Sequence, residues 1–129
     1  MSWSLSEIKA LADAHSGWDA REQDGCLCVV DDAGLEAWVA VSGDQIVVET
    51  VLFAEDQVQD TAALNAHILR THQLFPLTTI AVNTIDGQDY YVAFGALAAQ
   101  SSADNIVAEL TALFDNVAGF LDAYADYLN

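Results

Sequence analysis

Residues 26–53 read CLCVVDDAGLEAWVAVSGDQIVVETVLF, and this stretch decides the class of fold. Apolar residues, many of them β-branched or aromatic, dominate the runs 26–30, 35–41 and 45–53, which predicts three β-strands. The acidic and glycine-containing segments between these runs are typical of tight turns. Because such turns are too short for a parallel crossover, the stretch predicts an antiparallel meander.

Strands on either side extend this sheet. Residues 18–24 precede the meander across an Asp-Gly pair at 24–25, and they predict the least regular strand because 21–23 are all polar. A later pair of strands, 78–84 and 88–96, flanks a second Asp-Gly turn. The predicted sheet therefore has five to six strands.

Three helices are predicted around these strands. Ser4 and Glu7 have the spacing of a capping box, which begins the first helix. The second helix spans 61–73, after an aspartate N-cap. The third begins after the serine pair 101–102 and runs to Leu128, with apolar residues three or four apart. At about 26 residues it would be roughly 39 Å long, so one end overhangs the body or the helix lies across the whole sheet.

The order of elements predicts an α+β fold. It consists of a single antiparallel sheet with three helices, in the order α-β-β-β(-β)-α-β-β-α. The 129 residues are predicted to form one domain, 1–129, because one proline and seven scattered glycines leave no linker. Large residues occur on both faces of several strands. Either the helices cover one face and leave the second partly exposed, or they cover both.

The charge is strongly acidic. Twenty Asp and Glu face three Lys and Arg, for a net charge of -17, while 53% of residues are apolar. Nucleic acid and anionic membrane surfaces would repel such a protein, so both are excluded as partners. No apolar run approaches the length that inserts into a bilayer. The start of the chain lacks a secretory signal and the two cysteines cannot form a disulfide framework, so we expect a cytoplasmic protein.

No group of residues has the pattern of an active site. Cys26 and Cys28 lack a second ligand pair for zinc, and His67 and His72 point about 140° apart on a helix. The aspartates fall mainly at turns and helix caps, where their side chains bind backbone N–H groups. Nucleophile and phosphate-binding motifs are absent. We therefore expect no catalytic residue, no metal and no cofactor, and we expect that the protein is not an enzyme.

Several segments resemble the YjfI-like family of small uncharacterised bacterial proteins, in order along the whole chain. The matching residues are Met1-Ser2-Trp3, Asn65-x-x-Ile68-Leu69-Arg70-x-His72, Pro76-Leu77, Tyr90-Tyr91-x-x-Phe94-Gly95-Ala96-Leu97-x-Ala99-x-Ser101, Ile106-Val107-x-Glu109 and Asn116-Val117. One departure is Ala98, where the family pattern has serine.

The resemblance implies a cytoplasmic protein that is often encoded near members of the phage-shock-protein A family. It transfers no catalytic residues to this chain, because none are established for the family. The order of elements is also similar to that of type III secretion chaperones and YbjN-like proteins, which are acidic dimers that bind partner segments. This similarity leaves a homodimer open and is one of fold alone.

The leading functional hypothesis is a non-enzymatic interaction module, chaperone-like or regulatory, which binds a protein through apolar surface flanked by acidic residues. The partner would be a protein, with phage-shock-protein A relatives as first candidates. The alternative is an enzyme or small-ligand-binding protein with a pocket near Tyr90, His72 and Cys28. In a third interpretation, the acidity serves only solubility or salt adaptation. The predicted protein-binding residues are Trp38, Tyr91, Phe94, and two residues on the outer side of the last helix, Phe114 and Tyr127.

Overall fold

The computed structural model describes residues 2–129 and contains six strands and three helices. The elements are α1 (Leu5–Asp13), β1 (Asp19–Gln23), β2 (Cys26–Val30), β3 (Glu36–Ser42), β4 (Gln45–Ala54), α2 (Thr61–Thr71), β5 (Thr79–Ile85), β6 (Gln88–Ala98) and α3 (Ala103–Ala123). Short 3-10 turns span Glu55–Gln57, His72–Leu74 and Ala125–Tyr127. The predicted fold class and order of elements are confirmed.

All strands join one antiparallel sheet in the order β1-β2-β3-β4-β6-β5. Both predicted Asp-Gly turns connect neighbouring strands. Asp24 and Gly25 have φ of 54° and 79°, and Asp86 and Gly87 have φ of 51° and 82°. A positive φ at both central residues is the hairpin geometry that follows the twist of the strands, and aspartate and glycine tolerate it well. The polar strand β1 forms because it lies at the edge of the sheet, paired to β2 alone.

The three helices pack against one face of the sheet, which we call the inner face. One buried cluster joins Ile8 of α1, Leu64 of α2 and Leu110 of α3 to inner-face strand residues such as Val39 and Val48. Within residues 2–129, no helix covers the opposite face. The sequence left open whether the helices cover one face of the sheet or both. In the structure they cover one face, and the other has no helical cover.

The capping box of α1 is present. Ser4 Oγ accepts a hydrogen bond from the Glu7 backbone N–H at 3.2 Å, and the Ser4 N–H donates to Glu7 Oε1 at 3.0 Å. These two bonds satisfy backbone donors that the first helical turn leaves without partners.

The last helix is shorter than predicted. It ends at Ala123, and the following residues turn back to the body instead of continuing as helix to Leu128. Leu128 forms a β-bridge with Val58, and the Gln59 N–H donates to the Tyr127 carbonyl at 2.9 Å. Because these contacts anchor the C-terminal residues to the chain before α2, the overhang, which is one of the two arrangements that the sequence left open, is wrong.

Candidate functional site

The sheet face opposite the helices carries a continuous set of mainly apolar side chains, and we call it the outer face. Its central members are Cys26, Cys28, Val30, Trp38, Ala40, Val47, Glu49, Val51, Ala81, Asn83, Tyr90, Val92, Phe94 and Ala96, and the same register places the polar residues Asp19, Arg21, Gln23, Glu36, Ser42, Gln45, Thr79 and Gln88 around them. Cys28 and Val92 are fully buried yet lie outside the main core cluster, since their side chains point away from the helices. The other apolar members are partly or fully exposed to solvent.

Strand register places one row of side chains across the whole sheet at the centre of this face. In order from β1 to β5, the row is Arg21, Cys28, Trp38, Glu49, Phe94 and Thr79. Trp38 and Phe94 therefore flank Glu49, with their strands about 10 Å apart. Both aromatic residues are half-buried, so part of each side chain remains open to solvent.

The predicted binding residues do not all share this face. Trp38 and Phe94 lie together on it. Tyr91 points to the inner face, where it is 1% exposed and its hydroxyl donates to Asn65 Oδ1 at 2.6 Å. Burial also raises the pKa of Tyr91. The binding role of Trp38, Tyr91 and Phe94 stays a prediction, but Tyr91 presents no exposed side chain.

Phe114 and Tyr127 do not lie on the outer side of the last helix, where they were predicted. Phe114 is 5% exposed and packs against Trp18, with ring centroids 5.7 Å apart, so it lies in the core and not on the outer side of α3. The reason is that the apolar stripe of α3 is wide enough to include it together with Leu113. Tyr127 follows the helix in a 3-10 turn and packs half-buried against His67 at 5.2 Å.

The polar side chains of the outer face surround its apolar residues, apart from Glu49 and Asn83, which lie among them. The Arg21 guanidinium lies 3.6 Å from the Glu36 carboxylate at its margin, and Asn83 Nδ2 donates to Glu49 Oε1 at 3.4 Å across β6. Burial raises the pKa of the Cys28 thiol, with Arg21 opposing this shift. Since a thiol with a raised pKa is a weak nucleophile, Cys28 contributes packing to this face.

A groove opens beside Trp38 where the pairing of β3 with β4 ends. It has a volume of about 390 Å³ and reaches from Trp38 through the sheet to Val117 and Leu121 of α3. The Thr50 hydroxyl donates to the Glu36 carbonyl at 2.9 Å and so closes one wall. The groove offers a recess for an apolar side chain next to an exposed aromatic ring. Sequence reasoning missed it, because no local pattern marks the end of a strand pair.

A second apolar surface lies at the β5 edge of the sheet, and we call it the edge surface. Its exposed residues are Leu69 at 80%, Leu74 at 74%, Leu77 at 67%, Val82 at 45% and Ile85 at 38%. Residues 61–85, which include all of them, contain no Asp or Glu and a single charged residue, Arg70. This part of the surface is therefore free of the acidity of the rest of the chain.

The backbone of β5 is partly free at this edge. The Ile80 N–H points away from β6 and donates to His72 Nε2 at 3.1 Å. Because backbone groups alternate in direction along a strand, the N–H and C=O groups of Val82 and Thr84 also point outward. No charged side chain or proline lies on β5 to block pairing with another strand.

The residues of the alternative ligand pocket are not brought together. Cys28 on β2 and Tyr90 on β6 are separated by β3 and β4, and His72 caps the β5 edge. Among residues 2–129, no three His, Cys, Asp or Glu side chains are grouped so that they could hold a metal ion. Within the same residues, no helix combines the length and apolar character needed to cross a bilayer.

The fold is shared with type III secretion chaperones and with YbjN. The structure of YbjN, a putative transcription regulator from E. coli, matches with a TM-score of 0.72 at 14% identity, covering 98% of this chain and 94% of that one. A chain of the HopA1-SchA chaperone-effector complex matches with a TM-score of 0.65 at 13% identity, covering 89% and 90%. A chain of the ExsC-ExsE complex matches at 0.61 and 11% identity, covering 93% and 94%.

Sequence comparison identifies the family. The chain belongs to the bacterial family DUF2170, described as "Uncharacterized protein conserved in bacteria", whose model matches residues 3–128. It is 26% identical over 111 residues to the uncharacterized protein YjfI of Escherichia coli (strain K12), covering 84% of each chain. The YjfI protein of Escherichia coli O157:H7 matches equally. The resemblance seen in the sequence is confirmed.

Proposed function

We propose that this protein is a non-enzymatic, cytoplasmic interaction module, chaperone-like or regulatory, which binds a partner protein on the outer face of its sheet. The observation that carries the proposal is the row in which Trp38 and Phe94 flank Glu49 on a face without helical cover. Contiguous apolar surface on a folded chain marks an interaction site, because leaving it in water costs free energy.

The side chains of this face suit binding by a few strong contacts. Large aromatic residues dominate the energetics of interfaces when they sit near the centre of a desolvated patch. Trp38 and Phe94 occupy the central row, and the groove beside Trp38 can receive an apolar side chain of the partner. Burial of both rings by a partner would supply most of the binding free energy.

The charge of the chain selects among partners. A net charge of -17 accelerates the approach of a basic protein and repels acidic ones. We therefore expect a partner whose binding segment combines apolar residues with Lys or Arg at its flanks. The affinity should fall as salt is added, since screening weakens long-range attraction.

Two structural neighbours support a protein partner, since one belongs to a chaperone-effector complex and the other to the ExsC-ExsE complex. The similarity to YjfI makes a phage-shock-protein A family member the first partner to test. Binding to such a partner would bring this acidic chain to a membrane without direct contact between the chain and lipid.

Truncation of the central aromatic residues tests this proposal. Trp38→Ala and Phe94→Ala should each weaken binding to a purified phage-shock-protein A relative by about 30-fold or more, since hot-spot residues contribute about 2 kcal/mol or more. Isothermal titration calorimetry at low salt measures the affinity. The matched control is Leu69→Ala, which removes an exposed apolar side chain outside the outer face. Wild-type affinity in both aromatic variants would contradict the outer face as the binding site, and no binding by the wild type would contradict this partner.

The proposal includes a homodimer formed through the edge surface. Two chains of charge -17 repel each other wherever their acidic surfaces meet, and residues 61–85 provide a surface without acid. Antiparallel pairing of two β5 strands around a twofold axis would join the outward groups of Val82 and Thr84 and bury Leu69 of each copy. The outer face stays free for a partner in such a dimer.

A further inference from the structure

A pocket of about 270 Å³ lies between the end of β6 and the first turns of α3. It opens where β6 continues past the first residue of β5, since Thr79 pairs with Phe94 and the rest of β6 has no partner on that side. The lining residues are Leu77, Ala96, Leu97, Ser101, Asn105, Ala108 and Glu109. The pocket therefore brings together three stretches that resemble the family and that are distant along the chain, those around residues 76–77, 94–101 and 106–109.

Glu109 is a carboxylate without a counterion. The two ion pairs in the described part of the chain join Lys9 to Asp13 and Arg21 to Glu36, so neither involves this residue. It is half-buried beneath the pocket, and burial raises the pKa of its carboxyl group. A charged group taken partly out of water without a partner destabilises the folded chain, and an added cation would relieve this cost.

The sheet leaves room for this carboxylate at Gly95. A Cβ atom at Gly95 would lie 2.7 Å from Glu109 Oε1 and 3.2 Å from the Leu77 carbonyl oxygen. Any side chain at this position would therefore push the carboxylate out of its place. The same geometry shows that the Leu77 carbonyl faces the site, so two acceptors, one of them charged, converge over the glycine.

The loop that presents the Leu77 carbonyl is held in a strained conformation. Leu77 has a φ of 73°, a left-handed conformation that is costly for a residue with a large side chain. Asn116 of α3 stabilises the loop, because its Nδ2 donates to the Pro76 carbonyl and to Thr78 Oγ1, each at 2.8 Å. Strain that the surrounding structure maintains is often found at binding sites.

We propose that this pocket binds a guanidinium or primary ammonium group carried on an aliphatic stem. The Glu109 carboxylate is the counterion, the Leu77 carbonyl accepts a second hydrogen bond, and Leu97 and Ala108 contact the stem. Charge-assisted hydrogen bonds of this kind are stronger than neutral ones, especially in a partly desolvated site. The group can belong to a protein side chain or to a free amine. The pocket shares Ala96 with the outer face and Leu77 with the edge surface, but its counterion, Glu109, belongs to neither surface.

The experiment is a titration of the full ¹⁵N-labelled chain followed by amide NMR shifts, with N-acetylarginine amide as probe. N-acetylcitrulline amide, which has the same shape without the charge, is the control ligand. We expect saturable shifts at Gly95, Leu97 and Ala108 with the arginine probe and none with citrulline. Spermidine replaces the probe in a second arm, and the tighter binder of the two identifies whether a side chain or a free amine suits the pocket.

Three variants separate the site from general acidity. Glu109→Gln should weaken binding of the arginine probe at least tenfold, because it removes the counterion and keeps the shape of the side chain. Asp115→Asn removes the same charge at an exposed position of α3 and should leave the affinity unchanged. Gly95→Ala keeps the net charge and should also weaken binding. Equal affinities for the wild type and Glu109→Gln, or shifts spread over the acidic surface, would overturn the proposal.

Discussion

Replacing Phe120 by alanine is expected to lower the free energy of unfolding by about 3–5 kcal/mol. Phe120 is fully buried, and its ring packs against those of Phe75 and Tyr124 at centroid distances of 4.4 Å and 5.6 Å. It therefore holds α3 to the turn that leads into β5. Removal of the ring leaves a cavity that these neighbours cannot close, because α3 is anchored at both ends. Urea unfolding followed by circular dichroism measures the loss.

The control for this prediction is Thr111→Ala. Thr111 is exposed on α3, outside both the outer face and the edge surface, so its truncation should change the free energy of unfolding by no more than about 0.5 kcal/mol. A loss below about 1 kcal/mol for Phe120→Ala would show that the core does not depend on this ring. An equal loss in the two variants would show that the loss does not come from removal of the buried ring.

Substitution of Val82 by lysine is expected to raise the dissociation constant of the proposed homodimer by about 100-fold or more. Val82 lies on the free edge of β5, and in a twofold pairing of these strands two lysines would face each other in an apolar interface. Sedimentation velocity over a range of concentrations measures the dissociation constant. Because the two copies repel each other through their acidic surfaces, the wild-type dimer should become tighter as salt is added.

The opposite edge of the sheet supplies the control for this substitution. Gln23→Lys adds the same charge to the exposed strand β1 and should leave the dimer intact. A wild-type protein that stays monomeric in high salt would contradict the dimer. Equal dissociation by both lysine variants would show that added charge, and not its place on β5, controls association.

Much of the fold can be predicted because it depends on local patterns. The Asp-Gly turns, the alternation of strand residues and the capping box at Ser4 each follow from short-range stereochemistry. The end of α3 could not be predicted, since the apolar spacing continues to Leu128 while the chain turns after Ala123. The bridge from Leu128 to Val58, distant along the chain, ends the helix there.

The candidate site was predicted only in part. Alternation along β3 and β6 indicates that each strand has two apolar faces, but it does not show which face the helices cover. Trp38 and Phe94 proved to share the uncovered face, whereas Tyr91 lies in the core. The meeting of Gly95 with Glu109 depends on how α3 crosses the sheet, which no local pattern encodes. The one available signal was that both residues lie in stretches shared with the family.

Photo-crosslinking in living cells tests whether the outer face is where this protein binds its partner. A benzophenone amino acid replaces Val51, which is 42% exposed on that face, or Ala118, which is exposed on α3 on the other side of the sheet. We predict a strong crosslink to a phage-shock-protein A relative from position 51 and little or none from position 118. The same crosslink from position 118 and none from position 51 would contradict binding on the outer face.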